Sequence, residues 1–277
     1  MYHIKYWSVV AFCLMSLPCV ASSGKLLATP GVSQIEGNAG GGIVPWAQLA
    51  GYASDDEFSI NGFCSRADVT DYTLDVCGAQ LNLFNRVEFS YAIQQFDVPA
   101  FNAQIEQNIS GVKVRLYGDI VYSELPQLST GILHKSLDDG SIAQLVGAKS
   151  TSGTDFYLAA SKLHLGAIAG YNWFWNLTTR YSEANELGLL GYGGESDSTR
   201  VLFEGSTALF LSRELAVGVE YRQKANNLNL GEQDWKDVFV AWIPNKYVSI
   251  TAAYLDLGRI AGANDQTGWY FSVTGYW

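Results

Sequence analysis

LAVGVEYRQK, residues 215–224, decides the fold. Leu215, Val217, Val219 and Tyr221 share one parity, and Glu220, Arg222 and Lys224 share the other. A period of two is the mark of an extended strand, because successive side chains point to opposite faces. The pattern recurs along the chain. Val87, Phe89, Tyr91 and Ile93 alternate with Glu88, Ser90, Ala92 and Gln94; Val112, Val114 and Leu116 alternate with Lys113, Arg115 and Tyr117. Trp173, Trp175 and Leu177 alternate with Phe174, Asn176 and Thr178, and Arg180 continues the second face.

Period alone does not separate a soluble sandwich from a membrane barrel, but strand length, turns and the C-terminus do. Candidate strands fall near 57–64, 75–84, 86–96, 111–122, 130–136, 154–164, 172–182, 200–211, 214–224, 235–243, 246–257 and 267–277. Most are about 10 residues long, the length that crosses a bilayer when tilted, against about 5–6 for an average globular strand. Tight connections (84–86, 212–213, 244–245) interleave with long ones (97–110, 137–153, 183–199, 225–234, 258–266). Counting back from Trp277 puts the tight turns at one end, with both termini, and the long loops at the other. The expected fold is therefore all-β: a closed antiparallel transmembrane barrel of about twelve strands over 57–277, termini periplasmic and long loops extracellular.

The last strand, GWYFSVTGYW (268–277), places Trp269, Phe271, Val273 and Trp277 on one face and ends on an aromatic residue. These four residues are the candidate signal for the outer-membrane assembly machinery. An edge this apolar would be a liability in a soluble sheet.

The beginning of the chain looks like a secretory signal. Lys5 precedes a short apolar run at 8–21 and then small residues, giving cleavage after Ala21, or alternatively after Ser23. Export favours an oxidised pair from the two cysteines that remain, Cys64 and Cys77. If they share the outward face of adjacent strands, antiparallel pairing sets them opposite one another, bridging a first loop at 65–76. The Gly-rich stretch 24–52 has no barrel parity, so it is expected to be a periplasmic leader or to fold into the lumen as a plug. Its GNAGGG run (37–42) lacks the Lys–Ser/Thr ending and the helix of a phosphate cradle.

The segments SGKLLATPGVSQIEG (23–37), GGGIVPWAQLAGY (40–52), VKVRLYGDIVY (112–122), TDFYLAASKLHL (154–165), ANELGLLGYGG (184–194), LAVGVEYRQKANNL (215–228) and DWKDVFVAWIPNKYVSITAAYLDLG (234–258) carry a resemblance. Together they resemble an uncharacterised family of proteobacterial outer-membrane proteins, domain of unknown function 3034. The resemblance covers essentially the whole mature chain. It implies a Gram-negative envelope barrel and brings no substrate, cofactor or catalytic residue with it.

Composition narrows function further. The formal net charge of −10 and 13% aromatic content argue against nucleic-acid binding and suit aromatic girdles in outer-membrane lipid. The first functional reading is a narrow pore for small polar solutes. Its candidate lumen-lining residues are Glu88, Lys113, Arg115, Asp119, Arg180, Glu204, Glu220, Arg222 and Lys224. An alternative is a closed structural or surface-recognition barrel acting through its extracellular loops, such as 183–199 with its apolar centre (Leu187, Leu189, Leu190, Tyr192). A minor alternative is a lipid hydrolase using Ser161 and His164, for which no acid or amide partner is suitably spaced. No metal or cofactor site is expected.

Overall fold

The computed structural model describes residues 25–99, 102–195 and 200–277. The expected signal sequence and its cleavage site lie outside the described residues.

Two short strands, β1 (Val32–Ser33) and β2 (Ala39–Gly40), form a small antiparallel ladder in the N-terminal segment. Twelve strands follow: β3 (Phe58–Val69), β4 (Thr73–Leu83), β5 (Val87–Val98), β6 (Ala103–Tyr117), β7 (Gln127–Leu137) and β8 (Ser152–Ile168). The second six are β9 (Tyr171–Ser182), β10 (Arg200–Phe210), β11 (Leu215–Arg222), β12 (Trp235–Asn245), β13 (Val248–Asp256) and β14 (Thr267–Tyr276). Each pairs antiparallel with its sequence neighbour, and β14 closes the barrel on β3. An even strand number lets that closing pair be antiparallel too, so no edge is left with unpaired backbone groups.

The period of two is visible as alternating burial. Leu177, Phe203, Val219, Val238 and Phe271 face outward, while the adjacent Thr178, Glu204, Glu220, Asp237 and Ser272 face inward and are buried. Outward aromatics collect at both ends of this apolar band: Tyr171, Trp242, Tyr247 and Trp277 at the short-turn end, Tyr181, Tyr221, Tyr254 and Trp269 at the other. An apolar belt between aromatic girdles is the surface of a barrel set in lipid.

Cys64 and Cys77 are direct cross-strand partners, face outward and form a disulfide. The bridge does not staple a 65–76 loop, however. β3 and β4 continue past it, leaving only 70–72 as a turn. Arg66 and Asp75, 3.6 Å apart, pair on the outer face of this extension. The expected loop at 97–110 is likewise mostly strand, since β5 runs to Val98 and β6 begins at Ala103. Outward Gln95 and Asp97 on β5 bond Glu106 and Gln104 on β6 (3.1 and 2.8 Å). Polar outward residues here mark wall that projects past the apolar belt.

The opposite error occurs after β6, which ends at Tyr117 instead of running to 122. Gly118 takes φ +78°, and Asp119 Oδ1 accepts the amides of Val121 and Tyr122 at 2.8 Å each, turning the chain. The short-turn end thus carries one nine-residue connection, 118–126, and the long-loop end carries two short ones, after β3 and after β5. The loop at 138–151 contains a single helical turn, α1 (Ser141–Leu145).

Candidate functional site

Residues 32–53 are buried almost without exception, and their partners are inward-facing wall side chains. The chain rises from the short-turn end to Glu36 and then descends to β3. Apart from the β1–β2 ladder this segment has almost no regular structure, so its backbone groups need other partners. The wall supplies them. Glu88 accepts the amides of Ala39 and Ala50 (2.9 and 2.7 Å), while Lys113 donates to the carbonyls of Ala39 and Gln48 (2.7 and 2.9 Å). Gln94 donates to the Ile35 carbonyl, Gln80 to that of Gly37 and Asn82 to that of Ala50, each at 2.8 Å. Thr178 donates to the Pro45 carbonyl at 2.7 Å.

Glu220 accepts the Ile43 amide at 2.8 Å and the Trp46 indole at 3.2 Å. The glycine run explains how the backbone comes so near: a Cβ at Gly41 would sit 1.9 Å from Glu220 Oε1. The run wraps a carboxylate of the wall. Trp46 also packs on Phe174, ring centroids 4.5 Å apart.

The tightest charge cluster surrounds Glu36. Around the wall, β7 to β11 present Lys135, Asp155, Arg180, Glu204 and Arg222 in alternating sign, all buried. Lys135 pairs with Asp155 at 2.7 Å, and Arg180 pairs with Asp155 and Glu204 at 3.3 and 2.6 Å. Three cations thus face two wall carboxylates, and Glu36 is the third. It accepts from Lys135, from Arg180 through both Nη1 (3.2 Å) and Nη2 (2.8 Å), and from Arg222 at 2.7 Å. Burial alone would raise the Glu36 carboxyl, but Arg180, Arg222 and Lys135 hold it well below the usual carboxylate range.

The 183–195 part of the long loop folds over this cluster. The Leu187 carbonyl accepts from Lys135 at 2.8 Å, and Leu187, Leu189, Leu190 and Tyr192 are buried. Glu186 and Leu187 both hold positive φ (45° and 64°), a backbone cost of about 1–3 kcal/mol each. At the short-turn end an open cavity of about 350 Å³ stops at the segment. Lys25, Gln48, Asp55, Arg115 and Asp119 line it. Burial and then the nearby Arg115 lower the Lys25 amine to about 8.

Of the nine candidate lumen residues, Glu88, Lys113, Arg180, Glu204, Glu220 and Arg222 are buried on the inner face. Arg115 and Asp119, paired at 3.4 Å, stand instead at the short-turn mouth, Arg115 among the last residues of β6 and Asp119 just past its end. Lys224 lies just beyond β11, ion-paired with Glu186 and Glu232 of the loops. Lys135, Asp155, Asp237 and Glu36 are further buried charges that strand reading passed over. Asp155, Tyr157, Ala159 and Ser161 do share a parity that could have revealed Asp155. Lys135 was masked by Leu133 on its own face, and Glu36 sits in a stretch with no period at all. Trp269, Phe271, Val273 and Trp277 all face outward. Ser161 and His164 are not brought together: Ser161 is buried inside, bonded to Ala47 and Asn176, whereas His164 is outside, accepting from Trp175 and stacked on Trp173.

Comparison with solved structures places the fold among outer-membrane β-barrels. The KdgM porin superposes with a TM-score of 0.50 at 11% identity, covering 78% of this chain and 98% of its own. Omp33 of Acinetobacter baumannii gives 0.48 at 9% identity (80% and 98%), and the NanC porin gives 0.47 at 9% (80% and 100%). No curated protein matches by sequence. A family model, described as a protein of unknown function (DUF3034), matches residues 29–274. The chain therefore belongs to the DUF3034 family, and its fold is that of an outer-membrane β-barrel.

Proposed function

We propose that this protein is a channel for small polar solutes in the bacterial outer membrane, gated by its own segment 25–56 and closed in the conformation described. The observation that carries this reading is the way the segment is held. It is anchored by hydrogen bonds, by apolar contacts such as Trp46 on Phe174 and by one carboxylate, with no disulfide to the wall and no strand added to the barrel sheet.

The character of the wall supports the same reading. A barrel built to stay filled gains little from inward Lys, Arg, Glu and Asp, since apolar replacements of buried ion pairs are often neutral or stabilising. A wall that meets water when the segment leaves does need them. We take the short-turn end as periplasmic, with export by the general secretion pathway and insertion by the assembly machinery reading the terminal aromatic strand.

The test is ion conductance in planar bilayers. The full chain and a chain lacking 25–51 are compared after heat-modifiable gel mobility confirms folding. Rare brief openings of the full chain and sustained conductance of the shortened one are expected. A permanently closed barrel acting through its loops would be silent in both forms.

A further inference from the structure

We propose that Lys135, Arg180 and Arg222 form a binding site for a solute carboxylate, and that Glu36 is its built-in occupant. The inference rests on the channel reading above and adds the class of solute.

Within this cluster the wall's charges do not balance; Glu220, also inward on β11, is turned instead to the Ile43 amide and the Trp46 indole. Lys135, Arg180 and Arg222 alternate with Asp155 and Glu204 on five consecutive strands, so one positive charge is left over when Glu36 is removed. That surplus is arranged for one planar anion. The Arg180 guanidinium presents two nitrogens to the two oxygens of Glu36, the fork geometry that matches a carboxylate. Arg222 and Lys135 reach the same two oxygens from either side.

The neighbours set limits on the ligand. Asp155 and Glu204 flank the site and oppose a second negative charge on the same group. The buried Gln107 amide makes no hydrogen bond within the protein and lies beside Gly188 of the covering loop, leaving a donor and an acceptor for the remainder of a polar solute. Glu36 is carried on the turn before Gly37 in the segment itself, so a free carboxylate competes with the group that closes the path. A solute of this class would therefore unlatch the segment as it binds.

Chemical rescue tests the site without requiring conduction. Full-length Glu36→Ala is titrated with sodium acetate, sodium chloride at equal ionic strength, or sodium phosphate, and the thermal midpoint of the barrel is followed. The substitution is expected to lower the midpoint by several degrees. Acetate should restore at least half of the loss, chloride and phosphate less than a quarter, and acetate should not raise the midpoint of the parent chain, whose site Glu36 already fills. Adding Arg222→Gln to Glu36→Ala should abolish the rescue. If Glu36→Ala does not refold, the yield of heat-modifiable barrel with acetate in the refolding buffer becomes the readout, with the same expectation.

Equal effects of acetate and chloride, or equal rescue by phosphate, would overturn the carboxylate site. Rescue in a protein that never conducts keeps the site and removes the channel; conduction without rescue does the reverse.

Discussion

Arg180 and Glu36 meet in a two-pronged pair, Nη2 to Oε2 at 2.8 Å and Nη1 to Oε1 at 3.2 Å, although 144 positions separate them in the chain. Breaking a buried pair by neutralising one partner costs about 3–5 kcal/mol, because the other charge stays buried and unpaired. Glu36→Gln should therefore destabilise the closed barrel by about 3 kcal/mol in urea unfolding. Glu36→Gln with Arg222→Gln restores the balance of two cations against two carboxylates. It should be no less stable than Glu36→Gln alone. Strict additivity of the two losses would show that the cluster does not act as a unit.

The same cluster sets the response to acid. A carboxyl held below its ordinary range contributes stability above that range and loses it only as pH falls through the lowered value. The Glu36 contribution to docking should be flat from about pH 7 to 5 and weaken only well below the ordinary carboxylate pKa. Opening frequency in planar bilayers at stepped pH checks this. A steep rise between neutral pH and 5 would contradict it.

The Cys64–Cys77 bridge lies on the outer face and touches none of the segment's contacts. Mass spectrometry with and without reduction should find one bridge. Replacing both cysteines with alanine should cost about 2–3 kcal/mol of stability, from the chain entropy of a short closed loop, without changing conductance. Altered gating in that variant would tie the bridge to the lumen.

How far the sequence could be read differs between wall and lumen. The strands are visible in it because lipid on one side and a polar lumen on the other impose the period of two, as at 215–222; only GILHKS (131–136) in β7 shows no clean alternation. Errors fall where that two-sided solvent ends. Arg66 and Asp68 read as loop because outward polar residues above the belt look like those of a turn. Arg115 and Asp119 read as lumen because nothing in the alternation marks the strand end that Gly118 imposes. Six of the nine lumen candidates lie inside, yet the relationship that organises them was not legible. Glu36 is a single carboxylate in a glycine-rich stretch, and its contacts with Arg180 and Arg222 span 144 and 186 positions.

The most direct test of a self-gated lumen is a reversible lock on the segment. Ser33 Oγ and Thr274 Oγ1 lie 3.0 Å apart, one on the segment and one on β14, so Ser33→Cys with Thr274→Cys can tether the two. In a Glu36→Gln background the oxidised protein should be silent in planar bilayers and should conduct on reduction, reversibly, while Glu36→Gln alone conducts under both conditions. Conductance unaffected by the tether, or silence in every form, would contradict the account.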